Sequence, residues 1–183
     1  FFMAPRRLFV LAVLMLAGAA HAEVDWTSPL GIALGATPCK QMQRQKRQTW
    51  DLWVRTTSDV RGGAAFYPEK PVLDDLPDLK QMAIVCDAAP GRVAAVFLSV
   101  PRHYLRAAAD AFTYRHATVK VDLGDPLHGT AQWRDETDYV EIRYDERQPD
   151  SFQLTYMTQA FHDDWASYQA RFPRAQPWYV SPN

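Results

Sequence analysis

The chain has 183 residues and is 48% hydrophobic, 13% aromatic and 22% charged, with 13 Pro and 8 Gly. Such a composition suits one globular domain or two small ones and excludes a disordered, collagenous or coiled-coil protein. A net charge of −1 leaves no electrostatic footprint for nucleic acid.

The first residues read as an address. Arg6 and Arg7 precede an apolar run from Leu8 to Ala20, and Ala20-His21-Ala22 ends it. A basic start, a short apolar core and a small-x-small ending predict a signal peptide over residues 1–22. The run falls short of the roughly 20 residues that a bilayer crossing requires. Met3 reads as the start of translation, behind Phe1 and Phe2. No Cys stands at the cleavage point, so neither a lipoprotein nor a stable membrane anchor is expected. Removing Arg6 and Arg7 takes the net charge from −1 to −3. The mature chain is expected to be periplasmic or secreted.

Cys39 and Cys86 are the only cysteines. In an oxidising compartment an isolated pair is most simply a disulfide, the alternative being two buried thiols. Neither Cys has a second Cys or His at zinc-ligand spacing, and the C-x-x-C of a redox site is absent.

Residues 23–36 read as extended. Thr37 is placed as an N-cap with Pro38 in the first helical position, for a helix to about Arg47. Trp50, Leu52 and Val54 alternate with Asp51, Trp53 and Arg55, a strand pattern. Gly62-Gly63 makes a turn before a partner strand, Ala64 to Tyr67. Pro68, Pro71 and Pro77, with Asp74, Asp75 and Asp78, mark residues 68–80 as a loop. Gln81–Asp87 and Arg92–Val100 form a hairpin around Ala89-Pro90-Gly91. Its second strand is apolar on both faces apart from Ser99 and so belongs at the covered centre of a sheet.

A helix over 102–115 carries the stripe Leu105, Ala108, Ala109 and Phe112. Val119, Val121 and Leu123 make a short strand that Gly124-Asp125-Pro126 stops. A meander follows: Ala131 and Trp133, then Val140, Ile142 and Tyr144, then Phe152, Leu154 and Tyr156, each set alternating with polar residues. The last helix starts after Thr158 and carries the stripe Phe161, Trp165, Tyr168 and Phe172, with Asp163 and Asp164 early and Arg171 late, as the helix dipole favours. Residues 173–183 form an extended tail.

These elements predict an α+β fold, an antiparallel sheet with helices packed on one face, as a single domain over 23–172. Residues 30–100 and 101–172 also fit two tandem helix-plus-sheet units.

No strong catalytic motif is present: G-x-S-x-G, H-E-x-x-H, a Walker loop and a dinucleotide fingerprint are all missing. No cofactor and no metal are expected. His162-Asp163-Asp164 reads as the solvated face of the last helix, and Asp74, Asp75 and Asp78 as a solvated loop. A hydrolase would need groups such as His128, Asp135 and Glu136 to converge in a cleft. A small-ligand or lipid carrier would need a large apolar cavity between sheet and helices. Lys40, Arg44, Lys46 and Arg47 form a basic cluster. It is a candidate contact for an anionic surface, against the plainer reading of a charged helix end. Trp53 stands on the polar side of its strand, and Trp178 and Tyr179 lie in the tail, so these three are the candidate protein contacts.

Gly35-Ala36-Thr37 opening a helix, and Leu123-Gly124-Asp125-Pro126 before Trp133 and a meander, resemble the G-x-T and L-G-x-P signatures of the small outer-membrane assembly lipoproteins. The tandem of helix-plus-sheet units resembles the β-lactamase inhibitory protein fold. Both resemblances imply action by binding other proteins. The expectation is therefore an exported adaptor whose partner is an envelope protein or an exported enzyme.

Overall fold

The computed structural model describes residues 24–27, 31–40, 53–58, 60–61, 63–68, 73 and 75–173. Eight strands form one antiparallel sheet. They are β1 (Trp53–Thr57), β2 (Ala64–Pro68), β3 (Gln81–Cys86), β4 (Val93–Pro101), β5 (Ala117–Asp122), β6 (Gly129–Arg134), β7 (Asp138–Tyr144) and β8 (Ser151–Thr158). Helix α1 (Leu105–Arg115) joins β4 to β5, and helix α2 (Gln159–Arg171) follows β8. The strand order is β1-β2-β3-β4-β8-β7-β6-β5. Each half of the chain thus forms an up-and-down meander, and the two meanders abut where β4 pairs with β8. The α+β class is the one the sequence predicts, and the order suits two tandem units.

The helices do not share one face. Val96, Leu98, Ile142, Leu154 and Tyr156 project on the α1 side, where Ala108, Phe112 and Trp133 complete the larger core. Ala95, Phe97, Tyr139 and Met157 project on the other side and meet Phe161 and Trp165 of α2. The reason is the composition of β4: Val93 to Leu98 are buried on both faces, and a strand apolar on both faces needs a cover on each. Part of the face expected to lie in water is therefore under α2.

Local chemistry accounts for the helix starts and for the long connections. The Thr158 hydroxyl accepts a hydrogen bond from the Phe161 N–H at 3.2 Å, the expected N-cap. A 3-10 turn, Arg102–Tyr104, leads into α1. The Thr37 hydroxyl accepts from the Ala33 N–H behind it at 3.0 Å. Residues 31–40 lie along the start of β4, with Gly35 N–H donating to the Val93 carbonyl and Cys39 N–H to the Gly91 carbonyl. That pairing sets Cys39 beside Cys86, and the two are disulfide-bonded. Gly63 lies so close to the Cys86 carbonyl that a Cβ there would collide with backbone, which fixes the β1–β2 turn against the same corner.

The Leu123-Gly124-Asp125-Pro126 segment is the β5–β6 connection. Tyr144 holds it, its hydroxyl donating to the carbonyls of Leu123 (3.1 Å) and Asp125 (2.8 Å). Arg102 lies over the Tyr144 ring at 3.4 Å and donates to the Pro126 carbonyl. Gly129 pairs with Tyr144 across the strands, and the ring occupies the space a Cβ would take.

At the opposite end of β6 and β7, burial first and the Asp135 carboxylate second push the Asp138 pKa up to about 6. A carboxylate raised this way binds its proton more tightly folded than unfolded. Its contribution to stability is present at low pH and is lost as pH rises through the folded value near 6. Asp138→Asn should therefore raise stability at pH 8 by about 1 kcal/mol, allowing for the screening of a half-buried group, and leave it unchanged at pH 4. Urea unfolding at the two pH values checks this; an equal effect at both would contradict it.

Candidate functional site

Outside the footprint of α2, its face of the sheet stays polar. The register places Gln81, Ser99, Gln153, Arg143, Thr130 and Asp122 in one row running from β3 to β5. The four central members are half-buried and the two ends exposed. The adjacent row holds Ala83, Phe97, Thr155, Glu141, Gln132 and Lys120, and α2 begins to cover it at Phe97. Gln148, in the β7–β8 turn, joins Gln81, Ser99 and Gln153 around a shallow depression whose floor includes Phe97.

The only ion pair within these two rows, among the described residues, joins Glu141 and Arg143, which are next but one on β7 and point the same way. Their closest atoms are 3.2 Å apart, and the Glu141 side chain is only 12% exposed. Burial raises the Glu141 pKa, while Arg143 and then His162 pull it back. His162 reaches over from α2. Its ring stacks on Tyr139 with centroids 3.9 Å apart. The ring nitrogens meet the Gln132 amide at 2.8 Å and the Asp163 carboxylate at 3.1 Å. With Nδ1–H donating to Asp163, Nε2 is free to accept from the Gln132 amide. Asp163 is held below the usual carboxylate range by the hydrogen bond from His162 and then the one from Gln159. His162 therefore packs on the sheet rather than lying on a solvated helix face. Asp164, on the other flank of α2, pairs with Arg61, which also holds Asp87.

Chemically, the two rows set amides, hydroxyls, one guanidinium, one ammonium and two carboxylates side by side on adjacent strands.

The remaining expected residues are dispersed. His128 precedes β6 and Asp135 and Glu136 follow it, so the strand separates them by about 20 Å at 3.4 Å per residue and no cleft brings them together. Asp75 accepts from the Asp25 N–H at 3.3 Å, and Asp78 lies 3.6 Å from His103. No group of acidic, His or Cys side chains among the described residues could hold a metal. Phe112, Trp133, Phe152 and Tyr156 fill the space between α1 and the sheet, where a carried lipid would have to sit. Lys40 is exposed beside the disulfide, while Arg44, Lys46 and Arg47 lie outside the described residues. Trp53 opens β1, with its backbone opposite Pro68. Trp178 and Tyr179 lie outside the described residues.

The Glu141–Arg143–His162–Gln132 group has only a faint sequence signal, the polar half of an alternating strand. Among the described residues no helix is long and apolar enough to cross a membrane. The chain matches no family model, no curated protein and no solved structure.

Proposed function

We propose that this chain is an exported binding protein that acts by contact with another protein, an envelope protein or an exported enzyme, through the uncovered half-face of its sheet. The observation that supports this reading is the row Gln81, Ser99, Gln153, Arg143 and Thr130. These hydrogen-bonding groups, exposed at Gln81 and half-exposed at the other four, are held in register on five adjacent strands, and a surface ordered before binding lowers the entropy cost of association. The disulfide is the kind of bond that persists in oxidising compartments, which supports export and, with the signal-peptide pattern, a periplasmic or secreted location. Trp53, Trp178 and Tyr179 belong to this proposal as aromatic anchors.

A photo-crosslinking side chain at Ser99 or Gln153 should capture one discrete envelope partner, while the same group at Asp110, exposed on α1, should not. Arg143→Glu should weaken that capture at least tenfold and, by setting a second carboxylate beside the buried Glu141, also lower the melting temperature, whereas Gln81→Ala, at the exposed end of the row, should weaken capture with the melting temperature nearly unchanged. Replacing Trp53, Trp178 and Tyr179 by Ala should also weaken it. Equal labelling from Asp110 and Gln153, or capture unaffected by Arg143→Glu, would exclude this face as the contact.

A further inference from the structure

Strand β5 ends the sheet on one side, and all six of its residues are exposed. Val119 and Val121 are each 51% exposed, an unusual amount of branched apolar surface for an edge strand that also carries Lys120 and Asp122. The pattern Lys120-Val121-Asp122 is complementary to itself when read in reverse. Laid antiparallel on a second copy with Val121 opposite Val121, it sets Lys120 opposite Asp122 twice. A slip of one residue puts Lys120 against Val121 and mismatches the faces. A slip of two stacks Lys120 on Lys120 or Asp122 on Asp122, which is destabilising. One register alone sets both charges against opposite charges and keeps Val121 against Val121.

We propose that β5 is a self-association edge, pairing two copies of this chain antiparallel about a two-fold axis through Val121 to give one continuous sixteen-stranded sheet. The argument is independent of the proposed function. Lys120 and Asp122 lie on the same side of the sheet as Gln132 and Thr130, and a two-fold axis normal to the sheet keeps that side common to both copies. The polar rows of the two copies therefore run into one another at Lys120 and Asp122. The register shift between Thr118 and Lys120 confines the regular ladder to the C-terminal half of β5. The contact is accordingly short, and the dimer is a weak one, with a dissociation constant on the order of 100 µM.

Sedimentation velocity of the mature full chain tests this. Dimer should appear as concentration rises toward about 1 mM. Lys120→Asp, which turns both cross-strand pairs into like charges, should weaken it about tenfold. Adding Asp122→Lys to that variant should restore it. In parallel, Val121→Cys should form an intermolecular disulfide on mild oxidation much faster than Asp110→Cys, because paired strands bring its two copies within disulfide range. A wild-type chain monomeric at 1 mM, a double variant no better than Lys120→Asp, or equal cross-linking of the two Cys variants would each overturn the proposal. Should Lys120→Asp fail to fold, the comparison of cysteine variants still decides it.

Discussion

Trp133→Ala is expected to lower stability by about 4 kcal/mol and the melting temperature by roughly 10 °C or more. Trp133 is fully buried on β6, at the junction of sheet and α1. Its ring lies 5.4 Å from that of Phe112, itself 0% exposed, and its indole N–H donates to the Thr113 hydroxyl at 3.1 Å. Truncation therefore opens a cavity between α1 and the sheet and also removes the Thr113 hydroxyl's donor. Trp133→Phe keeps most of the volume and should cost less than half as much. Both variants lose the indole N–H, so the difference between them in thermal and urea unfolding gives the share of the cavity. A loss under about 1 kcal/mol for the Ala variant would mean that α1 does not pack as described.

The second large effect concerns the disulfide. Replacing Cys39 and Cys86 together by Ser should cost about 3 kcal/mol. A bond between residues 47 apart in sequence removes considerable freedom from the unfolded chain. In the folded state, the bond holds residues 31–40 along β4 and lies beside the corner where Gly63 meets the Cys86 backbone. Dithiothreitol should shift the denaturation midpoint of the wild-type chain downward and leave that of the double Ser variant in place. Equal midpoints for wild type with and without reductant would show that the bond contributes no stability.

The local elements were legible because their apolar residues repeat strictly. The stripe of α1, the Thr158 cap and the hairpin around Ala89-Pro90-Gly91 can all be read from adjacent residues. Alternation in β7 and β8 likewise shows which side chains share a face. It does not show which strand lies next to which: β4 pairs with β8 across the whole second half of the chain, a contact no local pattern encodes. The position of α2 was hidden for the same reason. Its stripe of Phe161 and Trp165 demands an apolar surface, but nothing local says that this is the face carrying Phe97 and Met157, the one α1 does not cover. Once α2 folds back, His162 comes over Tyr139 and Gln132, and Glu141 is left buried beside Arg143. These side chains come from three separate elements, so the group exists only in the folded sheet. The polar row was visible strand by strand as solvent-facing residues, and its continuity from β3 to β5 is a property of register alone.

The reading of the chain as an exported, oxidised binding protein is tested most directly by the intact mass of native material from the cell envelope, measured before and after reduction. The expected species begins at Glu23 and gains the mass of a pair of hydrogens when reduced. A polypeptide that retains Arg6, Arg7 and the apolar run, with both thiols already free, would contradict it.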